Sequence, residues 1–243
     1  MGLRAATSFL TPLGGARPPA PGDLAWFPVV GLGQGVALGG LWWLVARAWP
    51  APVDAAVVIV ADLALTGMLH LDGLVDSADG LLPHLDRSRR LAVMAEPQVG
   101  AFGVAVAGGA LLLRFAALST IAPHVLLLAG LWCLSRTFMA AVVGRQPYAR
   151  PGGLAEVYDS GQGTGGPRGP AWWPTAAAVV VAVAALVGWK VVAAPVVAVA
   201  GIMAAIGVVA LARRRLGGYT GDVLGASGVV LETVGLVVAA ARW

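Results

Sequence analysis

Residues 52–80 read PVDAAVVIVADLALTGMLHLDGLVDSADG, and two conflicting demands meet in them. The run through residue 69 is apolar enough to enter a bilayer as a helix. The next eleven residues set Asp72, Asp76 and Asp79 at i, i+4 and i+7, within roughly 60° of one another on a helix surface. Carboxylates at that spacing repel, and they suit neither a core nor a lipid face. The pattern points to a metal site at a membrane surface. Mg²⁺ is the natural candidate, because it takes hard oxygen ligands and is held by a few carboxylates together with substrate phosphates. Gly73 and Gly80 are expected to leave backbone open beside the carboxylates, where a phosphate group could approach. His70 borders the motif as a candidate to orient a carboxylate or touch a phosphate.

The rest of the chain sets the scale of the bilayer reading. Of 243 residues, 58% are hydrophobic and 12% charged, against about 25% charged in a soluble domain. Several apolar runs approach the ~20 residues that cross a bilayer. A soluble core of this size could not hide so much apolar surface. The expected fold is all-α: a polytopic integral membrane helical bundle forming one membrane-embedded domain over residues 1–243. About seven transmembrane helices are expected (range six to eight), over residues 29–46, 52–69, 99–118, 121–143, 172–189, 191–211 and 223–241. The breaks near Ser119 and Lys190 read equally as hairpin turns or kinks. Residues 1–20 are interrupted at Pro12, Gly14 and Gly15, so they read as mature protein, a helix at the interface, rather than as a signal peptide. Cys133 is the single cysteine, which rules out an intramolecular disulfide and a CxxC metal site.

The charge is +4, with no long basic patch interleaved with aromatics, so nucleic acid is not an expected partner. The positive charges instead sort by side. With a cytoplasmic N-terminus and seven spans, the inner segments hold Arg4, Arg17, Arg87, Arg89, Arg90, Arg145, Arg150, Arg168 and Arg213–Arg215. The outer segments hold Arg47, Lys190 and Arg242. That bias is what the positive-inside rule expects. It predicts a multi-pass membrane protein, in contact with lipid, with the aspartates on the cytoplasmic side.

Other polar segments fall on that side. In YTGDVLGA, residues 219–226, Thr220 or Asp222 can cap the last span, and the free amides around Gly221 can hold a phosphate oxygen. Arg145 and Arg150 can fork onto phosphates. Glu96 and Asp222 are further candidate metal ligands. Glu232 lies inside an apolar run and needs a partner or an aqueous cavity; Arg114 and Arg136 are the candidates. From these residues alone, solvated loop carboxylates and a cation pathway remain alternatives to a metal–phosphate site. An enzyme, a cation-coupled small-solute transporter and a membrane scaffold all remain open, although no obvious inverted repeat supports a transporter.

The chain resembles cobalamin synthase, adenosylcobinamide-GDP ribazoletransferase, over nearly its whole length. The resemblance is carried by HLDGLVDSADG at 70–80, with FLTPLG at 9–14, FPVVGLGQG at 27–35, VGAFG at 99–103, PYAR at 147–150 and GGYTGDVLGASGVVLET at 217–233. It implies a Mg²⁺-dependent, multi-pass transferase of the bacterial inner (cytoplasmic) membrane. Such an enzyme moves the cobinamide phosphate moiety of adenosylcobinamide-GDP to α-ribazole or its 5′-phosphate, releasing GMP and completing adenosylcobalamin or its phosphate. It also implies that Asp72, Asp76 and Asp79 form the acidic catalytic motif and that Asp222 belongs to the matching C-terminal signature. A phosphotransferase acting on another membrane alcohol is the near alternative. Membrane placement allows a homo-oligomer and association with other corrinoid-pathway enzymes. One departure stands out: the family commonly has a basic–acidic pair after the methionine that leads into the Gly-Phe-Gly segment. Here Met94 is followed by Ala95 and Glu96, and Arg89 or Arg90 is the candidate substitute.

Overall fold

The computed structural model describes residues 2–15, 21–143, 145–150 and 172–243. Helix α1 (Gly2–Leu10) leads through two short 3₁₀ turns, Pro12–Gly14 and Pro21–Trp26, into α2 (Phe27–Val45). There follow α3 (Ala51–Leu65), α4 (Leu69–Leu81), α5 (Arg87–Val93), α6 (Ala101–Leu118) and α7 (Val125–Val143). The last three are α8 (Trp172–Trp189), α9 (Ala194–Leu216) and α10 (Gly221–Ala239). The chain breaks between helices near both Ser119 and Lys190, so each is a turn and not a kink within one helix.

The bundle is all-α, and among the described residues five stretches are long and apolar enough to cross a membrane: Gly22–Val45, Ala101–Leu118, Val125–Val143, Ala194–Leu216 and Gly221–Ala239. The pair α3 and α4 makes a sixth only if taken as one broken span, since the two helices bend by 88°. The expected span at 52–69 is not one straight helix: it turns at Gly67 and Met68, which both take left-handed backbone conformations with φ of 57° and 59°. The expected span at 172–189 is helical throughout, as α8.

Helices α2 and α7 approach closely because Gly31, Gly35 and Gly39 recur every four residues on the facing side of α2. A Cβ at these positions would strike the backbone of Trp132, of Leu128 and Ala129, and of Val125 respectively. Around this pair runs an apolar core that includes Trp42, Leu127, Leu131, Trp132, Leu231 and Leu236.

Charge is also buried here. Glu232 accepts from Arg114 Nη2 and from Arg136 Nη1, each at 2.7 Å. Arg114 Nη1 reaches Asp62 at 2.8 Å and its Nε reaches Thr233 Oγ1 at 2.8 Å. Trp132 Nε1 donates to the other Asp62 oxygen at 3.0 Å. Arg136 Nε donates to Gln34 Oε1 at 3.2 Å, and Gln34 donates on to the Leu10 carbonyl at 3.4 Å. Every one of these charged residues is under 10% exposed. The partners expected for Glu232 are therefore the ones it has, with Asp62 and Gln34 added. The network carries two guanidinium and two carboxylate groups, and it joins α2, α3, α6, α7 and α10.

Removing one member of such a set strands the others in an apolar interior. Glu232→Gln is expected to destabilise the bundle by about 3–5 kcal/mol, read as loss of resistance to thermal or SDS-driven unfolding in micelles. A variant with wild-type stability would show that the buried pairs do not hold the fold.

Candidate active site

The aspartate motif at 70–80 becomes part of α4, and its two faces have different neighbours. One face meets the start of α10. Gly73 packs so closely there that a Cβ would lie 2.7 Å from the Asp222 carbonyl oxygen. One turn on, Gly225 sits against the His70 backbone, with a Cβ 3.2 Å from the His70 Cα. These two glycines bring Asp222 into electrostatic range of Asp72 and Asp76. Asp72 is exposed and Asp76 half-buried, so both face an accessible surface.

Asp79 behaves differently. It is buried, and its carboxylate accepts the amide N–H groups of Gly100 at 2.7 Å and Gly103 at 2.9 Å. Gly100 is the N-cap of α6. The acidic patch that the fold assembles therefore centres on Asp72, Asp76 and Asp222, with Asp79, still within electrostatic range of Asp76, turned toward the VGAFG segment.

A second contact fixes Asp222. The PYAR and GGYTGD segments pair as a short parallel bridge, with Tyr219 N donating to the Pro147 carbonyl at 3.0 Å and Ala149 N to the Tyr219 carbonyl at 2.8 Å. Gly217 ends α9 in a left-handed conformation, φ 81°, and Gly218 fits directly against Pro147. This pairing carries Arg150 to Asp222, where Nη2 lies 3.0 Å from a carboxylate oxygen. Thr220 caps α10 by accepting the Val223 amide at 3.3 Å and also donates to Asp222 at 3.3 Å. Gly221 faces open space, leaving the first turn of α10 approachable beside the carboxylates.

Several expected site residues are occupied elsewhere. Gly73 and Gly80 do not leave open backbone: Gly73 is covered by Asp222, and Gly80 by Met94 and the Arg90 carbonyl. His70 is buried and lines an internal cavity with Asp62, Thr66, Arg114, Arg136 and Glu232, on the core side of α4. Arg145 Nη1 donates to the Ala141 carbonyl at 3.0 Å and closes the end of α7. Glu96 pairs with Arg89 at 2.8 Å on the surface. Of the two candidate substitutes for a basic residue at position 95, it is Arg89 that pairs with Glu96. Arg90 instead donates to the Gly80 and Leu81 carbonyls at 2.8 and 3.0 Å, and Arg215 also donates to Leu81. Two guanidinium groups therefore satisfy the exposed end of α4, as cations do at a helix C-terminus. Between them, Asp86 caps α5; hydrogen bonds from the Ser88 hydroxyl and the Arg89 amide hold its carboxyl below the usual range.

Among the described residues, no three His, Cys, Asp or Glu side chains converge closely enough to hold a metal ion by themselves. What the patch offers is hard oxygen ligands on one side, a guanidinium on the other, and an open helix start between them.

Comparison with known proteins accounts for this combination of motifs. A family model described as Cobalamin-5-phosphate synthase matches residues 2–240. A protein of Chlorobaculum parvum is 35% identical over 231 residues, covering 90% of this chain and 85% of the relative. One of Bradyrhizobium diazoefficiens is 37% identical over 256 residues, covering 98% and 93%. One of Thermosynechococcus vestitus is 36% identical over 208 residues, covering 84% and 80%. Each of the three carries the name adenosylcobinamide-GDP ribazoletransferase. No solved structure matches the chain.

The two glycines of the patch predict opposite responses. Gly73→Ala must force α4 away from Asp222 and is expected to cost about 1–3 kcal/mol of overpacking together with most of the activity. Gly221→Ala meets no neighbour and is expected to leave the melting temperature unchanged. Melting curves of the two purified variants test the pair; equal loss in both would refute the packing described.

Proposed function

The chain belongs to the cobalamin-5-phosphate synthase family, and we propose on that footing that it transfers the cobinamide phosphate moiety of adenosylcobinamide-GDP to α-ribazole or its 5′-phosphate. The hydroxyl oxygen of the ribazole attacks the phosphorus attached to cobinamide. The bond from that phosphorus to the bridging oxygen breaks, and GMP leaves with the electron pair. The hydroxyl proton passes to a carboxylate or to water. The products are GMP and adenosylcobalamin or its phosphate.

The single observation that supports this reading is the seating of Gly73 against Asp222. It gathers Asp72, Asp76, Asp222 and Arg150 at one end of the bundle, although Asp72 and Asp222 are far apart in sequence. Phosphoryl transfer needs little covalent work from a protein; it needs positioning and a field that tolerates growing negative charge. Arg150 can exchange its contact with Asp222 for a substrate phosphate, using a planar fork that suits phosphate oxygens. The open first turn of α10, at Gly221, offers backbone N–H groups to the same phosphate. Asp76, half-buried between Asp72 and Asp222, is the carboxylate best placed to orient the attacking hydroxyl.

The donor set fits Mg²⁺, with Asp72, Asp76 and Asp222 as the residues to hold it. Mg²⁺ usually needs only one or two carboxylates when substrate phosphates complete its shell, so the lack of a closed protein cage is in keeping. When bound, it would neutralise the diphosphate and the departing phosphate.

We further propose that this end of the bundle faces the cytoplasm. Arg90 and Arg215 bind the end of α4, Arg150 binds Asp222, and Arg87 lies beside Gly217. Lys190 lies instead beside Trp243. The positive-inside rule then orients the site inward.

Protein reconstituted with Mg²⁺, adenosylcobinamide-GDP and α-ribazole is expected to release GMP and a complete corrinoid in equal amounts. Chelation with EDTA should stop both. Asp76→Asn is expected to lower turnover by about 100-fold or more with membrane insertion unchanged. Full activity in that variant, or solute flux without GMP release, would defeat the reading. A reporter fused after Arg90 should give a cytoplasmic signal.

A further inference from the structure

We infer that Asp79 is a positioning residue and not a metal ligand: it ties the acidic helix to the start of α6 and so sets where Asp72 and Asp76 stand relative to Asp222. The inference rests on the transferase reading above. In sequence the three aspartates of the motif look equivalent. In the fold they are not.

Both oxygens of Asp79 are engaged by backbone. Oδ2 accepts Gly100 N–H and Oδ1 accepts Gly103 N–H. Those amides belong to the first turn of α6, where helix geometry leaves donors without internal partners and the helix dipole favours negative charge. The residue is 7% exposed. The glycines are shaped to it: a Cβ on Gly100 would lie 2.8 Å from the Asp79 Cγ, and one on Gly103 would collide with Oδ2. The two glycines of VGAFG are therefore the walls of a carboxylate cradle. That cradle lies on a different side of α4 from the Asp222 contact.

The consequence for catalysis is mechanical. Helix α4 is fixed to α10 by the Gly73 contact, to α5 and α9 by the caps on its C-terminus, and to α6 by Asp79. Asp76 lies one turn before Asp79. Loosening the α6 tether lets α4 rotate and swings Asp72 and Asp76 away from Asp222, while leaving all three carboxylates free to bind metal. An amide at position 79 cannot restore the tether, since it has one acceptor oxygen and would set an NH₂ donor against the second amide.

The test compares Asp79→Asn, Asp76→Asn, Gly103→Ala and the double variant Asp79→Asn/Gly103→Ala as purified full-length protein. Mn²⁺ binding is followed by electron paramagnetic resonance, and turnover by GMP release. Asp79→Asn is expected to lower kcat by about 10- to 100-fold, with KM for adenosylcobinamide-GDP unchanged and Mn²⁺ affinity weakened less than in Asp76→Asn, which removes a ligand. Asp76→Asn is expected to weaken Mn²⁺ binding. Gly103→Ala should repeat the Asp79→Asn pattern, and the double variant should be no worse than the poorer single one. Loss of Mn²⁺ affinity in Asp79→Asn equal to that in Asp76→Asn would overturn the inference, as would additive losses in the double variant. If Asp79→Asn does not fold, Gly103→Ala decides alone, because it keeps every carboxylate: unchanged turnover overturns the inference. Wild-type protein that binds Mn²⁺ but forms no corrinoid product would refute the transferase reading instead, leaving the Mn²⁺ comparison to judge Asp79.

Discussion

Glu232 is shared between two arginines in an interior with little else to solvate a charge. An isolated ionised group there is too costly to keep, so the carboxylate is tolerable only while Arg114 and Arg136 are both in place. Arg114 in turn needs Asp62, and Arg136 needs Gln34. Each of these five residues comes from a different helix. Satisfying the charges therefore fixes five helices against one another. Hydrophobic burial cannot do this alone in a bilayer, where lipid tails are as apolar as leucine. The network sets register, and close packing through Gly31, Gly35 and Gly39 follows it.

The acidic patch inherits that order. Helix α10 carries Glu232 in its interior and Asp222 in its first turn, so anchoring one end places the other. Helix α6 carries Arg114 near its end and receives Asp79 at its start. Helix α4 lies between them, and its glycines decide how closely it sits. The caps from Arg90 and Arg215 prevent the last turn of α4 from leaving its carbonyls unsatisfied. The chemistry proposed here thus depends on a charge cluster that touches no substrate.

Much of this was legible in the sequence, for stated reasons. A glutamate in an apolar run demands a cation, and Arg114 and Arg136 stood in similar runs. The same logic applied to Asp62 would have completed the network, since that residue interrupts the run before the bend. Helix ends at residues 27–45, 125–143 and 221–239 lie close to the expected spans, because apolar length is a local property. The bend at Met68 was not legible: a non-glycine residue in the left-handed region leaves no signature in composition. Nor could spacing say which way a glycine faces. Gly73 and Gly80 looked like room for a ligand, and both are filled by protein. Spacing likewise grouped Asp79 with Asp72 and Asp76, whereas tertiary packing exchanged it for Asp222. The Arg89–Glu96 pair is likewise a contact that only the fold of α5 creates.

The sharp turn after α3 has a bearing on how a large corrinoid reaches its site. Helix α3 has 15 residues, about 22 Å at 1.5 Å per residue, whereas the hydrocarbon layer is ~30 Å thick. The chain therefore turns aside at the end of a helix too short to cross by itself, and α4 runs nearly crosswise to α3, at 88°. The carboxylates are thus carried on a helix that lies across the direction of α3 and does not continue it. A donor of the kind proposed would meet them along the side of α4, so the bend, and not the length of a span, would set how it is oriented.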